Sequence, residues 1–431
     1  MKDFGKSADP RVQTQLDRLA ALSIPQGRLG LETIRALMGR LGDPHRELPP
    51  VFHVAGTNGK GSTCAFLRAM LEAQGYRVHA TTSPHLVRYN ERIRIAGKLI
   101  EDEALAALLK KILDVGEDLA PSFFEVTIAA AFLAFSRSPA DACVVEVGLG
   151  GRFDATNVLE PEALAACGIA SLGIDHERFL LAPEDGVPQE PIARIAFEKA
   201  GIAKPGVPLV ALDYPIAATK AVIDQAMNAG ARPALRGLDW TYSIEKGALA
   251  YQDKPGKLRL PRPSLPGEHQ YANAALAVAM LRHQSMLSVA VTAMEAGISN
   301  THWPARLHRL APGLLAGNRE VWLDGGHNPD AGATLARHFT GQRLHLVIGM
   351  LDNKDPAALV GPLSESIASI SAVPVPDHGY HAAAEFGPHT RAYRDVPTAL
   401  AALPDDGLPV LIAGSLYLAG DVLRLNGEQP D

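Results

Sequence analysis

The sequence predicts an α/β protein of two domains, with a large, mostly parallel sheet in the first domain and a smaller α/β domain after it. From residue 51 to about residue 210, short apolar runs alternate with amphipathic segments, and the same alternation begins again beyond residue 302. This alternation is typical of parallel strands that are joined by helices. The length of 431 residues agrees with it, because a chain of this size usually divides into two or three domains.

The composition is that of an ordinary globular protein, with 47% hydrophobic and 20% charged residues. A net charge of −6, without a basic stripe, argues against a nucleic-acid partner. No apolar run is long enough to span a bilayer, and the first residues lack the apolar core of a signal peptide. The three cysteines have no paired spacing, which indicates a reducing compartment. We therefore expect a cytoplasmic protein with no membrane partner.

Apolar spacing predicts the elements of the first domain in order. The residues before about position 48 carry leucine and isoleucine at helical spacing, and residues 51–55 form an apolar run typical of a buried strand. A helix is expected over residues 64–73. Alternating residues around Gly247 predict a hairpin over residues 240–260, and an alanine-rich run predicts a helix over residues 271–281. Further strands are expected over residues 143–147, 165–169 and 207–211.

The pattern breaks at residues 302–306, with sequence HWPAR, and we place the domain boundary there. The first domain then comprises residues 1–301, and the second comprises residues 302–431. In the second domain, apolar runs predict strands over residues 321–323, 344–348, 370–375 and 410–413.

A glycine-rich loop, GTNGKGS over residues 56–62, lies between the first predicted strand and the helix after it. Strand, glycine loop, lysine and helix form the arrangement that binds a nucleotide triphosphate, because backbone N–H groups and the helix N-terminus face the phosphates. The alternative is a plain glycine turn before a helix. The usual loop has Ser or Thr directly after the lysine as a Mg²⁺ ligand, whereas this chain has Gly61. Metal ligands are therefore expected elsewhere.

Three polar positions at strand ends are candidates for that metal. Glu146 ends an apolar strand and could bind Mg²⁺, although it could equally cap a turn. His176, in the pair Asp175-His176, could add an imidazole to the same cluster, or it could be an ordinary loop histidine. Ser83 follows the second predicted strand and could supply the oxygen that Gly61 lacks, or it could belong to a turn.

Other positions gain meaning only in combination. Lys199 lies in a helix-like run, and its spacing alone indicates a solvated lysine. Residues 324–329 and 414–417 are polar turns that follow predicted strands of the second domain, and such turns often carry binding residues.

Taken together, these motifs resemble the ATP-dependent Mur-ligase-like amide ligases, and within them the folylpolyglutamate synthases and the bifunctional dihydrofolate synthase/folylpolyglutamate synthases. The resemblance implies a P-loop domain like the central domain of Mur ligases, followed by a Rossmann-like C-terminal domain. It also explains Gly61, because this family takes Mg²⁺ on other residues. The motifs that carry it are residues 27–32, 53–62, 83–90, 123–125, 146–157, 175–176, 198–202, 324–329 and 414–417.

The resemblance implies roles for residues of this chain. Two Mg²⁺ ions would be held by Ser83, Glu146, His176 and Lys199, the last as a carbamate formed with CO₂. The residues implied in catalysis are Lys60, Glu146, His176 and Lys199. The residues implied in nucleotide binding are Thr57, Asn58, Gly59, Lys60, Gly61, Ser62, Asn273, Arg306 and Asp324. Those implied in contacting the pterin are Ser122, Phe123, Phe124, Glu125, Phe153, Asp154 and Ala155, and those implied in binding glutamate are His327 and Ser415.

The reaction implied by the resemblance joins L-glutamate to dihydropteroate and to folates. ATP phosphorylates the acceptor carboxylate, and the amine of glutamate then displaces phosphate from the acyl phosphate. We expect a monomer that binds only small molecules. The alternatives are a folylpolyglutamate synthase without dihydrofolate synthase activity, another Mur-type ligase, or an ATP-hydrolysing switch. The segment 177–195 is longer than the family's usual connection, which leaves the geometry around Lys199 open.

Overall fold

The computed structural model describes residues 5–22 and 30–430, so part of the motif at residues 27–32 lies outside the described residues. The chain divides into two compact units. The first unit runs up to Ser264 and continues from Gln270 to Thr301. The second unit comprises Leu265–His269 and the residues from His302 onward. Five residues of the expected first domain, 265–269, therefore belong to the second unit.

The first unit is built on a mostly parallel sheet with strand order β4-β3-β2-β5-β1-β6-β7-β8. In this order, the six neighbouring strands β2, β5, β1, β6, β7 and β8 pair in parallel. Strands β3 and β4 add an antiparallel edge beside β2. Strand β1 is buried along its whole length, which places the glycine-rich loop after it at the centre of the sheet. The strands are β1 (Val51–Ala55), β2 (Val78–Thr81), β3 (Ile93–Ile95), β4 (Lys98–Leu99), β5 (Ala142–Glu146), β6 (Leu164–Ile169), β7 (Pro208–Ala211) and β8 (Arg232–Leu235).

The helices of this unit mostly follow the predicted spacing. The helix after the loop begins at Lys60, four residues earlier than expected, because Gly59 with φ +82° ends the loop and leads directly into the helix. In the described residues, no helix combines the length and the apolar character that a membrane crossing needs. The helices are α1 (Pro10–Leu22), α2 (Glu32–Arg40), α3 (Lys60–Ala73), α4 (Asp102–Gly116), α5 (Phe123–Ser136), α6 (Glu177–Leu180), α7 (Pro191–Ala200), α8 (Ile216–Asn228), α9 (His269–His283) and α10 (Val291–Asn300).

A separate antiparallel sheet of three strands covers residues 240–260, where the sequence predicts a hairpin. It contains β9 (Trp240–Glu245), β10 (Ala248–Asp253) and β11 (Gly256–Leu260), in the order β11-β10-β9. The predicted hairpin around Gly247 is confirmed as β9 and β10, but its extent was wrong. A second turn, at which the Asp253 side chain accepts a hydrogen bond from the Gly256 N–H at 3.2 Å, adds the third strand.

The second unit has its own sheet, with strand order β12-β13-β17-β14-β15-β16. In this order, the neighbouring strands β13, β17, β14, β15 and β16 pair in parallel. Strand β12 is antiparallel to β13 at one edge. The predicted α/β class with mostly parallel sheets is confirmed. The strands are β12 (His308–Arg309), β13 (Val321–Asp324), β14 (Leu344–Ile348), β15 (Ile367–Ala372), β16 (Arg391–Ala392) and β17 (Val410–Ala413). The helices are α11 (Pro329–His338), α12 (Ala357–Leu363), α13 (Val396–Ala401) and α14 (Leu416–Asn426).

Candidate active site

The glycine-rich loop is held by the segment that follows the neighbouring strand β6. The Thr57 N–H donates to the Ser171 carbonyl at 2.8 Å, and the Thr57 hydroxyl donates to the Gly173 carbonyl at 2.9 Å. These bonds fix the loop and leave α3 to begin directly after it. Because the first N–H groups of a helix have no partner within the helix, the start of α3 is a site suited to anions.

Two lysine amines meet at one carbonyl of this loop. The Lys60 Nζ donates to the Gly56 carbonyl at 3.0 Å and to the Thr57 carbonyl at 3.3 Å. The Lys199 Nζ, from the last turn of α7, donates to the same Gly56 carbonyl at 3.0 Å. Lys199 is only 4% exposed, so the solvated lysine indicated by its spacing is wrong. Burial, and then the positive charge of Lys60, lower the pKa of Lys199 to about 7.

Glu146 is the last residue of β5 and is level with Val54 in the adjacent strand β1. Its side chain is buried, and it accepts a hydrogen bond from the backbone N–H of Ser83 at 3.1 Å. Strands β2 and β5 are parallel neighbours, so their carboxyl ends meet at one edge of the sheet. The structure thus brings together two of the predicted metal residues, Ser83 and Glu146, beside the strand that leads into the phosphate loop.

His176 precedes α6 and has a left-handed backbone with φ +54°. Its backbone N–H donates to Asp175 Oδ1 at 2.7 Å, and its Nε2 lies 3.9 Å from Asp175 Oδ2. Within residues 5–22 and 30–430, no three His, Cys, Asp or Glu side chains cluster as a metal site. The metal roles of Ser83, Glu146, His176 and Lys199 stay predictions.

The segment predicted to contact the pterin opens α5. Ser122 and Glu125 form a capping box, in which the Ser122 N–H donates to Glu125 Oε2 at 2.8 Å and the Glu125 N–H donates to Ser122 Oγ at 3.2 Å. The Phe123 ring packs edge-on to Tyr89, with ring centroids 5.6 Å apart. The Phe124 ring lies against the backbone of Gly148, in the loop after Glu146. The contacts of these four residues with a ligand stay predictions.

The second predicted pterin segment is organised by Asp154. This buried carboxylate accepts hydrogen bonds from the Leu149 N–H at 2.8 Å and from the Thr156 N–H at 3.0 Å. It also accepts a hydrogen bond from the Thr156 hydroxyl. Because that hydroxyl has only one proton to donate, His53 Nε2, which lies 2.8 Å from the Thr156 oxygen, must be the donor in the bond between His53 and Thr156. Burial raises the pKa of Asp154 and lowers the pKa of His53 to about 3.

These bonds give Asp154 a structural role in shaping the loop from residue 148 to residue 156. In the same loop, Ala155 is buried, and the Phe153 ring lies 4.2 Å from the Arg152 guanidinium. Their contacts with substrate stay predictions.

Helix α9 brings polar side chains to the phosphate loop of the first unit. The Asn273 amide lies directly against Gly59, where a Cβ atom would collide with it. The Asn273 amide donates to Gln270 Oε1 at 2.9 Å, and the Gln270 amide reaches Ser62 Oγ at 3.4 Å. Sequence reasoning missed Gln270. The signal that could have found it is a pair of polar residues at helical spacing inside an alanine-rich helix.

The predicted residues of the second unit gather at the carboxyl ends of β13 and β17, which are parallel neighbours. The buried Asp324 accepts hydrogen bonds from the Leu307 and Gly326 N–H groups, each at 2.7 Å. His327 Nδ1 donates to the Gly325 carbonyl at 3.1 Å, and Arg306 also lies against Gly325. Ser415 caps α14 by accepting from the Tyr417 N–H at 3.1 Å. Their roles in nucleotide or glutamate binding stay predictions.

Comparison with known proteins gives two sets of relatives, although no protein-family model matches the chain. The dihydrofolate synthase/folylpolyglutamate synthase of Escherichia coli is 35% identical over 348 residues, which cover 79% of this chain and 76% of that protein. The protein of the same name from Bacillus subtilis is 33% identical over 443 residues, with 92% of this chain and 94% of that protein covered.

Solved structures of the same kind match nearly end to end. Escherichia coli FolC in complex with DHPP and ADP has a TM-score of 0.85 at 31% identity, covering 97% of this chain and 98% of that one. The bifunctional folylpolyglutamate synthase/dihydrofolate synthase of Yersinia pestis, complexed with AMPPNP and Mn ion, has a TM-score of 0.83 at 30% identity, with 97% and 98% covered. Because similarity in sequence and in fold extends over most of its length, the chain belongs to the dihydrofolate synthase/folylpolyglutamate synthase family.

Proposed function

We propose that this protein ligates L-glutamate to dihydropteroate and to folates, using ATP and passing through an acyl phosphate. As a member of its family, it is an ATP-dependent acid–amino-acid ligase. The observation that carries the proposal is the meeting of Lys60 and Lys199 at the Gly56 carbonyl, beside the strand end that holds Glu146. The Lys60 amine at the start of a helix forms a site suited to an anionic polyphosphate, and the buried Lys199 amine lies beside it at the same carbonyl.

Phosphate oxygens of ATP would replace the loop carbonyls as hydrogen-bond acceptors for the Lys60 amine. The amine needs to turn only from the Gly56 and Thr57 carbonyls to a phosphate oxygen, while the N–H groups at the start of α3 face the same anion. Asn273 would contact the nucleotide, a role supported by its position against Gly59 of the phosphate loop. The part of Arg306 and Asp324 in nucleotide binding rests on the family resemblance.

Mg²⁺ would be held by Glu146 and Ser83, with His176 and a modified Lys199 serving a second ion. The residues fit the ion, because Glu146 is a buried carboxylate beside the phosphate loop, and Mg²⁺ is usually bound by one or two carboxylates together with substrate phosphates. When bound, Mg²⁺ would offset the negative charge of the transferring phosphoryl group.

In the reaction, the residues of the chain would position the substrates and neutralise the charge of the phosphates. Lys60 would offset charge while an oxygen of the acceptor carboxylate attacks the γ-phosphorus of ATP and ADP leaves. The amine of glutamate would then attack the acyl carbon, the bond to phosphate would break, and the amine would lose a proton. Exclusion of water would protect the acyl phosphate from hydrolysis before glutamate reacts.

Lys199 would carry a carbamate in the active enzyme. Only a neutral amine can capture CO₂, and Lys199 is buried beside the charge of Lys60, two conditions that favour the neutral form. A sample equilibrated with ¹³C-labelled bicarbonate should show a carbamate carbon signal that is absent in Lys199→Ala. If the two proteins give the same spectrum, Lys199 is an ordinary amine.

Of the two phenylalanines near the expected pterin site, Phe124 is the better candidate for stacking on the ring. Phe123 is already packed against Tyr89 and lies under Arg92, with the guanidinium 5.3 Å from its ring centroid. Both rings are partly exposed, but the Phe124 ring lies against Gly148, in the loop after the proposed metal residue Glu146. Phe124→Leu should therefore raise the KM for dihydropteroate more than Phe123→Leu does, and the reverse order would reject this assignment.

The decisive test supplies each acceptor separately. Purified protein is incubated with ATP, Mg²⁺ and L-glutamate plus either dihydropteroate or a reduced folate, and the products are identified by mass. We expect a glutamylated product and one ADP per bond with both acceptors. A product with the folate alone would leave a folylpolyglutamate synthase, and ATP hydrolysis that does not depend on glutamate would reject ligation altogether. The cytoplasmic location, the monomeric state and the absence of a nucleic-acid partner stay predictions.

A further inference from the structure

We infer that Glu184, in the long connection between His176 and Lys199, is a positioning residue for the lysine end of helix α7. This inference rests on the proposed function of Lys199. The segment over residues 177–195 is fastened to α7 and to the loop after Glu146 by a ring of four charged side chains, which we call the charged ring. Its members are Arg152, Glu184, Arg194 and Glu198.

In the charged ring, each carboxylate lies between two guanidinium groups. Glu184 accepts from Arg152 Nη1 at 3.1 Å and Nη2 at 2.6 Å, and from Arg194 Nη2 at 2.8 Å. Glu198 accepts from Arg152 Nε at 3.1 Å and Nη2 at 2.8 Å. It also lies 3.0 Å from Arg194 Nη2. The Arg194 and Glu198 side chains are each only 6% exposed, so these charges depend on one another for compensation.

Main-chain contacts connect the charged ring to Lys199. The Arg152 N–H donates to the Glu198 carbonyl at 2.8 Å. A Cβ atom at Gly151 would lie 2.9 Å from the Lys199 carbonyl, so the loop and the end of α7 are in close contact there. Because Lys199 directly follows Glu198, a shift of the last turn of α7 would move the Lys199 amine away from the Gly56 carbonyl.

Glu184 is the member of the charged ring that lies in the connection before α7 begins, whereas Arg194 and Glu198 belong to α7. A second bond, from Arg194 Nε to the Leu180 carbonyl at 3.2 Å, fastens the connection one turn after His176. The same connection therefore starts at one proposed metal residue and ends at another, and it is anchored between them. Loss of Glu184 would leave the two guanidinium groups with Glu198 as their shared carboxylate. The hydrogen bonds of Glu198 would then change in geometry, and Glu198 is the residue directly before Lys199.

The alternative is that the charged ring only stabilises the fold. The matched control is Asp253→Asn, because Asp253 is a nearly fully buried carboxylate of the same unit that is paired with Arg282 at 2.6 and 2.7 Å, outside the charged ring. Each change removes one buried or half-buried carboxylate charge: Glu184→Gln removes it from Arg152 and Arg194, and Asp253→Asn removes it from Arg282. A purely structural role predicts the same effect on turnover from both changes.

The experiment measures kcat, the KM for ATP and the ¹³C carbamate signal in the full-length wild type, Glu184→Gln and Asp253→Asn. We expect Glu184→Gln to lower kcat at least tenfold and to weaken the carbamate signal, with the KM for ATP within about threefold of wild type. We expect Asp253→Asn to keep kcat within about threefold. Wild-type kcat and carbamate in Glu184→Gln, or an equal loss of kcat in both variants, would overturn the inference.

Two further arms keep the test decisive. If Glu184→Gln does not fold, Glu184→Asp keeps the charge but shortens the reach to the two guanidinium groups; a lowered kcat then supports the inference and an unchanged kcat overturns it. If the wild type makes no glutamylated product, the proposed function has failed, and positioning is judged by hydrogen exchange of the last turn of α7. Faster exchange there in Glu184→Gln than in Asp253→Asn supports it, and equal exchange overturns it.

Discussion

The change Lys60→Met keeps most of the length of the side chain and removes its ammonium from the phosphate loop. In the structure this ammonium donates hydrogen bonds to two main-chain oxygens, those of Gly56 and Thr57. It therefore belongs to the loop and not to the apolar core, and its effects on stability and on turnover should separate.

The expected loss of stability is small. A hydrogen bond from a charged group contributes about 1.5–3 kcal/mol net, and the bond to Thr57 is long at 3.3 Å. The charge of Lys60 also opposes that of Lys199, whose pKa it helps to lower, so its removal relieves some repulsion. We expect a net loss of about 1–3 kcal/mol, against the roughly 5–15 kcal/mol by which a domain is usually stable.

The expected loss of turnover is large. Removal of one group that stabilises charge in a transition state typically costs about 100-fold to 1000-fold in kcat. The assay follows glutamate-dependent ADP release at saturating ATP, and urea unfolding of the same samples gives the stability. Lys204→Met is the matched control, because the Lys204 amine donates to a loop carbonyl, that of Asn157 at 3.1 Å, outside the phosphate loop.

We expect Lys204→Met to keep turnover within about threefold of wild type, since its amine is bound to the Asn157 carbonyl and not to the phosphate loop. Near-normal ligation in Lys60→Met would refute the assignment of the phosphate loop. Equal losses of turnover in the two variants would show that a general disturbance of the unit, and not the loss of a phosphate contact, explains the effect.

Three further changes test other parts of the site. Glu146→Gln keeps the size of the side chain but removes its charge, so turnover should fall about 100-fold or more and need more Mg²⁺; an unchanged Mg²⁺ titration would leave Glu146 as a turn cap. Gly59→Ala forces a side chain onto a backbone with φ +82° and against Asn273, so ATP affinity measured by calorimetry should drop, and wild-type affinity would contradict the close contact. Burial lowers the pKa of His53 to about 3 in the folded protein, whereas an unperturbed histidine has a pKa of about 6.5. Between these two pH values the unfolded chain binds a proton that the folded protein does not. The free energy of unfolding should therefore fall as pH drops from about 6.5 to about 3, by up to about 5 kcal/mol. Urea unfolding of His53→Gln at pH 7, 5 and 4 should show a flatter decline than wild type, and parallel curves would argue against a neutral buried imidazole.

Local pattern determined much of the first unit. The apolar run at residues 51–55 and the glycine-rich loop after it record a buried strand and a turn in consecutive residues, and both lie where the sequence predicts them. The alternation of apolar runs and amphipathic segments likewise predicted the α/β class, because burial on both faces of a parallel sheet leaves that signature in every strand. Strand β11 of the three-stranded sheet, at residues 256–260, was missed as a separate strand, since a short strand with few apolar residues carries little signal.

The surroundings of single side chains were decided by the tertiary structure. Lys199 has the spacing of a solvated helix residue, yet its amine is buried against a carbonyl 143 positions away. The capping box of Ser122 and Glu125 has the local S-x-x-E spacing and could have been predicted, whereas the contact of His53 with Thr156 joins residues 103 positions apart. The charged ring joins residues from a loop, a connection and a helix, and its geometry exists only because strand order places these segments together. The sequence alone thus determined which residues are polar at strand ends, and only the fold decided which of them meet, because partners far apart in sequence leave no periodic signal.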